Sequence, residues 1–162
     1  MNSRVEVLEV LRENARYSVE DIARQTGTDP EEVEEIIATL EKEGVVRGYR
    51  AVVDWDQVEE ERVRAAVELN VTLDRETSYN DIADRVAKFP MVESLYLVSG
   101  EFDFVMEVEG ESMREVSHFI SEKVAPVPAI TQTVTHYVME TYKENGTGFR
   151  DSSEDDRLSV SP

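Results

Sequence analysis

Four arginines, Arg16, Arg24, Arg47 and Arg50, bracket a stretch that also holds Thr28 and Thr39. Guanidinium and hydroxyl groups in such numbers are donors suited to phosphate oxygens, although a solvated surface carries the same residue types. Between them stand Glu31, Glu32, Glu34, Glu35, Glu41 and Glu43, with Lys42 as the one cation. A second stretch, Ser99–Gly100–Glu101–Phe102–Asp103, places a turn-forming glycine next to hydroxyl and carboxylate groups. Read from spacing alone it is a hairpin turn that Asp103 could pin. Covalent chemistry has few candidates. With no cysteine there is no thiolate ligand or nucleophile, and His118 and His136 have no second ligand at helical or strand spacing, so neither metal nor cofactor is expected. No nucleophile sits beside a base, and no glycine-rich phosphate loop or paired-carboxylate motif stands out, so an enzyme is not expected either.

The elements that must hold these groups announce themselves through caps and periodicity. A first helix is expected from Ser3, with Glu6 returning the capping bond and Val5, Val7, Leu8 and Leu11 facing inward. A short second helix opens at Ser18 with Asp21 as reciprocal residue, buries Val19, Ile22 and Ala23, and stops at Gly27. The third has Asp29 as cap, Pro30 in its first turn and Glu32 placed to complete a capping box, and its stripe is Val33, Ile36, Ile37 and Leu40. Glu31, Glu35 and Thr39 must then face out. VVRGYRAVVDW alternates around Arg47 and Gly48 as a two-stranded hairpin would. Three helices and a hairpin make a winged helix-turn-helix, expected over residues 1–53.

Residues 54–62 read as a linker in which Trp55 serves as a plug. From Val63 the period changes to two: Val63, Ala65, Val67, Leu69, Val71 and Leu73 alternate with polar residues. A helix capped by Ser78 and Asp81 buries Ile82, Ala83, Val86 and Phe89, and strands follow from Val92 and from Phe102. A helix capped by Ser112 and Glu115, burying Met113, Val116, Phe119, Ile120 and Val124, precedes a last strand from about Ile130 to Tyr142. That strand puts Thr131, Thr133 and Thr135 on one face, exposed or turned to a partner subunit, and Val134, His136 and Val138 on the other. The order is βαββαβ, so the expected class is α+β, with a ferredoxin-like domain over residues 63–143. Residues 144–162 show no period and are expected to form a disordered acidic tail.

The formal charge is −19, spread along the whole chain, and Arg outnumbers Lys. A uniform acidic surface fits a salt-rich cytoplasm, where a Debye length of roughly 3 Å in molar salt screens self-repulsion. An acidic mimic of nucleic acid is the other reading of such a charge. No apolar run of about 20 residues is present to cross a bilayer, so no membrane partner is expected.

The segment LEVLRENARYSVEDIARQTGTDPEEVEEIIATLEKEGVVRGYRAVVD, followed some fifty residues later by SGEFDFVMEVEG, resembles the Lrp/AsnC feast/famine regulators. The resemblance implies a transcription regulator that binds double-stranded DNA and answers to a small amino acid, built as a homodimer or higher homo-oligomer. It implies DNA contact through Arg16, Arg24, Thr28, Glu31, Glu35, Thr39, Arg47 and Arg50. It implies an effector site at a subunit interface around Ser99, Gly100, Glu101 and Asp103, with hydroxyls such as Thr133 and Thr135 for the carboxylate. The family commonly has Arg or Lys among the positions held here by Glu34, Glu35, Ala38 and Thr39. The alternative is a sensing or protein-interaction module whose winged helix no longer reads DNA. A catalytic offshoot of the family brings His and Tyr to the strand that here reads SLYLVSGEF, which has Tyr96 and no His.

Overall fold

A computed structural model describes residues 2–150, which divide into two compact units at Ala51/Val52. In the first unit, α1 (Ser3–Glu13), α2 (Val19–Thr26) and α3 (Pro30–Lys42) enclose Val7, Leu11, Ile22, Ala23 and Val33. The cap of α1 is Asn2, whose side chain accepts from the Arg4 amide at 3.0 Å, one residue ahead of the expected Ser3. Asn caps as well as Ser, and here it comes first. The inward face of α1 is Val7, Val10 and Leu11; Val5 is 48% exposed. The capping box of α2 forms as expected, Ser18 with Asp21, and Gly27 closes the helix in the left-handed region at φ 68°. Asp29 caps α3 through the Glu31 amide, with no return bond from Glu32.

Residues 45–54 do not pair into the expected hairpin strands. Val45 and Tyr49 are half exposed and Val52 nearly so, leaving no buried face to hold a two-stranded ladder. The amides of Val45 and Val46 instead donate to the Leu40 carbonyl, turning the chain away from α3.

The second unit has β1 (Val63–Val71), α4 (Tyr79–Val86), β2 (Val92–Leu97), β3 (Phe104–Gly110), α5 (Met113–Phe119) and β4 (Ile130–Tyr137). A single wider turn, Ile120–Val124, extends α5. The sheet order is β2-β3-β1-β4 with every pair antiparallel, the ferredoxin-like arrangement. Both helices cover one face, where Ala65, Val67 and Leu69 meet Phe104, Met106 and Val108 in register. Each of the larger side chains here contributes about 1.5–3 kcal/mol by leaving water, and Ala65 less. Met113 stands outside this core at 56% exposure.

Register also settles the two faces of β4. Thr133 and Thr135 pair with Leu69 and Val67, so they lie on the helix-covered side, while Val134 and His136 share the open side with Glu68 and Ala66. For Thr133 and Thr135 the side expected to be exposed or turned to a partner is therefore the inner one, while Thr131, beside the register shift at Asn70/Val71, is exposed. A one-residue offset in pairing reverses every side chain, and only the partner strand sets that offset. Ahead of β1, Trp55 opens a single helical turn, half-buried, with the Arg62 guanidinium 4.0 Å above its ring.

Beyond β4 the chain makes a further small hairpin, β5 (Lys143–Glu144) and β6 (Thr147–Gly148), turning at Asn145–Gly146. Residues 144–148, expected to be disordered, thus belong in part to this hairpin, and the rest of the expected tail from 151 to 162 lies outside the described residues. Asn-Gly is the strongest two-residue hairpin signal, and its flanks are too short to show alternation. Glu144 reaches Arg64 of β1 at 2.6 Å, tying this hairpin to the sheet. No helix among the described residues is long and apolar enough to cross a membrane.

Candidate functional site

The exposed face of α3 is built by the turn ahead of it. Gly27 lets the chain reverse, and Asp29 and Pro30 start the helix at once, so Glu31, Glu35 and Thr39 fall on one stripe at steps of four. The stripe is about 12 Å long at 1.5 Å per residue. Beyond the Glu31 amide bond to the Asp29 cap, the carboxylates of Glu31 and Glu35 have no hydrogen bond or ion pair from any described residue. Glu41 and Glu43 are occupied: Tyr49 donates to Glu41 at 2.8 Å, and Arg4 of α1 pairs with Glu43. Burial, then the Glu41 hydrogen bond, raises the Tyr49 phenol above its ordinary value. These two contacts pin α1 and the segment after α3 onto the end of that helix, and neither partner's spacing advertises them in the sequence.

The cations are unequal. Arg24 is turned onto Asp21 of its own helix, so its charge is largely spent there. Arg16, in the turn before α2, and Arg47 carry no ion pair among the described residues, and both are exposed. Arg50 is exposed as well. Thr28 lies half-buried in the turn, its amide donating to Ala23.

In the second unit the loop between β2 and β3 hangs on Asp103. Its amide donates to the Leu69 carbonyl at 3.0 Å and its own carbonyl accepts from Val98 at 2.9 Å. One carboxylate oxygen accepts from the Val71 amide at 2.9 Å, the other from the Tyr79 hydroxyl at 3.2 Å. The Asp103 charge raises the Tyr79 phenol pKa. With each oxygen accepting one hydrogen bond, Asp103 holds the loop to β1 and α4, the pinning role. Ser99, Gly100 and Glu101 form the exposed tip, with Gly100 at φ 121°.

Thr133 and Thr135 are not gathered to that tip. They stand on β4, two strands from β3 in the sheet order, about 10 Å by strand spacing. Their half-buried hydroxyls have no protein partner among the described residues. His136 is taken up by Glu68 at 2.9 Å, and no three His, Cys, Asp or Glu side chains among the described residues converge as a metal would need.

Comparison with known proteins places both units. Residues 2–47 match the winged helix-turn-helix DNA-binding family, and residues 64–147 match the Lrp/AsnC ligand binding domain. The chain belongs to the Lrp/AsnC family. An uncharacterized HTH-type transcriptional regulator of Bacillus subtilis, YugG, is 39% identical over 97% of this chain and 95% of its own length. Among solved structures, a transcriptional regulator of Neisseria meningitidis in complex with L-Met superposes with TM-score 0.71 at 22% identity, covering 93% of this chain and 96% of that one. The leucine response regulatory protein of Mycobacterium tuberculosis superposes with TM-score 0.74 at 23% identity, covering 93% and 99%. Those two likenesses establish the fold. As an Lrp/AsnC protein this chain is a DNA-binding transcription regulator with an Lrp/AsnC ligand-binding domain, and the relatives it matches are named as transcriptional regulators.

Proposed function

We propose that this regulator acts as a homodimer in the cytoplasm at high salt, its DNA affinity set by a small amino acid. The observation that carries the dimer is the open face of the sheet. Tyr96, Val105, Glu68 and Val134 lie in register across four strands, with Ser94, Glu107, Ala66 and His136 in the row beside them. Val105, Ala66 and Val134 form an apolar centre, Tyr96 is 54% exposed, and no described helix lies over them. A two-fold partner offering the same face buries that centre and encloses the Glu68–His136 pair. Val105→Glu places a charge there, and sedimentation then reports a dimer dissociation constant raised on the order of a hundredfold. An unchanged dimer moves the interface elsewhere.

For DNA, two copies present two α3 helices to successive major-groove half-sites. Arg16, Arg47 and Arg50 serve the phosphates, while Thr28 and Thr39 offer hydroxyls. Glu31 and Glu35 repel the backbone in dilute salt, and that repulsion is screened in a concentrated one. For the effector, the tip Ser99–Gly100–Glu101 supplies main-chain groups at a subunit interface, and Thr133 and Thr135, on the helix-covered side of β4, offer hydroxyls at an interface other than the open sheet face. Coupling of this kind is typically 1–3 kcal/mol. The deciding experiment titrates the protein against its own upstream DNA from about 0.1 M to about 3 M salt, with and without amino acids. A specific complex that survives at high salt and shifts with an amino acid supports the reading. Failure to form one at any salt where the protein is folded sinks it.

A further inference from the structure

Away from the loop tip and the open sheet face, a groove of about 210 Å³ runs between α4 and the edge strand β2. Its wall and floor are apolar: Ala83 and Ala87 on the helix, Leu95 and Leu97 on the strand, and the buried ring of Phe104 beneath. Two alanines at i and i+4 leave the helix side shallow, which makes the space. Leu97 shares a face with core residues yet leaves 58% of its surface exposed, so it is a wall with nothing described against it.

The rim is polar and one-sided. Asn80 and Asp84 are also i and i+4 on α4, so they stand side by side along the groove, and neither side chain has a hydrogen bond or ion pair from any described residue. The third rim group, Tyr79, is fixed twice: its ring meets Phe104 edge-on at 5.9 Å, and its hydroxyl is held by Asp103. A carboxylate and an amide above an apolar slot, in a chain of net charge −19, favour a cation with an aliphatic body. The volume is below the range of about 300–1,000 Å³ usual for larger ligands, which excludes a peptide and suits a molecule of six to ten heavy atoms.

We infer that this groove is a second small-ligand site, distinct from the Ser99–Glu101 tip, which takes a primary ammonium on a short aliphatic chain. Asp84 accepts from the ammonium, and the alanines, Leu97 and Phe104 take the chain. Asn80 is placed to donate to a neighbouring carboxylate where the ligand is an amino acid. Asp103 acts on the groove only through Tyr79, as a positioning residue.

Calorimetry with two probes, L-leucine and 3-methylbutylamine, on the intact protein tests this. The amine lacks the carboxylate, so binding of both identifies the ammonium and chain as the recognised parts, and leucine alone binding assigns Asn80 a necessary role. Asp84→Asn keeps the shape, leaves the tip untouched, and is expected to weaken either probe about tenfold or more. Ala83→Leu fills the slot and is expected to abolish binding. Because that variant could disturb the helix, Asp84→Asn at the exposed rim carries the test alone if Ala83→Leu misfolds. Neither probe binding, or binding that Asp84→Asn leaves unchanged, overturns the site. Amino-acid binding that persists in Asp84→Asn and is lost on changing Gly100 instead returns the effector to the tip, overturning this site and keeping the regulator reading.

Discussion

Two of the glycine-dependent turns in this protein, at Gly27 and Gly100, are held in opposite ways. Gly27, between α2 and α3, sits at φ 68° and donates to Ala23 four residues back; Ser18, Asp21 and Asp29, its other supports, are all within nine residues. Gly100, between β2 and β3, sits at φ 121°, and what holds its loop is Asp103, bonded to Val71 and Tyr79, 32 and 24 residues away. A turn of the first kind can be read letter by letter. One of the second kind exists only once the sheet has assembled. The difference also divides structure: the locally held turn starts α3 directly after α2, and the remotely held one ties its tip to β1 and α4 through Asp103.

The largest effect should come from cutting the remote tether. Asp103→Ala removes two hydrogen bonds from a half-buried carboxylate and leaves the Val71 amide unanswered, a loss of about 2–4 kcal/mol. Thermal unfolding should register it as a fall on the order of 10 °C or more in the second unit. A change under about 2 °C would mean that the loop holds itself and that the contrast with Gly27 is empty.

Next in size is Gly27→Ala. At φ 68° an alanine costs about 1–2 kcal/mol, with no clash added because nothing lies within 4 Å of the new Cβ. DNA affinity should fall along with stability, since this turn sets the angle of α3. Gly27→Asn, better tolerated in the left-handed region, should recover much of both. If Asn is as poor as Ala, backbone conformation is not what the position requires.

These two sites also mark how far sequence reasoning reached. The helix-turn-helix, its caps at Ser18 and Asp29 and its stop at Gly27 were legible because each depends on residues within one or two turns. The order βαββαβ was legible for the same reason. The misplaced features were those decided at a distance. The inner position of Thr133 and Thr135 follows from pairing with β1, and the lost hairpin at 45–54 from the absence of anything to bury it. The pinning by Asp103, one of the two readings its spacing allowed, has partners, Val71 and Tyr79, that only the assembled sheet names. The site in the first unit was legible as residues, yet Arg24 bound to Asp21 and Glu41 bound to Tyr49 are choices among many possible partners in a charge-dense chain.

A smaller effect separates the glutamates of α3 from those at its end. Glu31→Gln with Glu35→Gln removes two unpartnered charges from the stripe proposed to face DNA and should strengthen DNA binding about fivefold near 0.1 M salt, with the gain vanishing near 3 M. Glu41→Gln and Glu43→Gln, whose partners are Tyr49 and Arg4, should lower stability and leave the salt dependence nearly unchanged. Equal behaviour of the two pairs in binding would show that the stripe is not the DNA face.

The smallest effects let each tether be read from its own end of the pH scale. The Ser18 hydroxyl, then its amide, hold the Asp21 carboxyl below its ordinary 3.8, with Arg24 adding to this. A group so lowered adds stability that is present above pH 3.8 and lost as pH falls through the depressed value. The charge of Asp103 raises the Tyr79 phenol above its ordinary 10.0, helped by burial and the hydrogen bond. A group so raised adds stability that is fully present below pH 10.0 and lost as pH climbs through the raised value. Denaturant unfolding of the whole chain across pH should therefore show Ser18→Ala flattening the acid limb only in part, because the Ser78–Asp81 box lowers a second carboxyl in the same way. Asp103→Asn should bring the Tyr79 absorbance titration back toward 10.0 and flatten the alkaline limb in part, because Tyr49 is raised in the same direction by burial and Glu41. If Asp103→Asn changes the acid limb and leaves the alkaline one intact, then Asp103 is not what grips Tyr79, and the long-range tether is anchored to β1 alone.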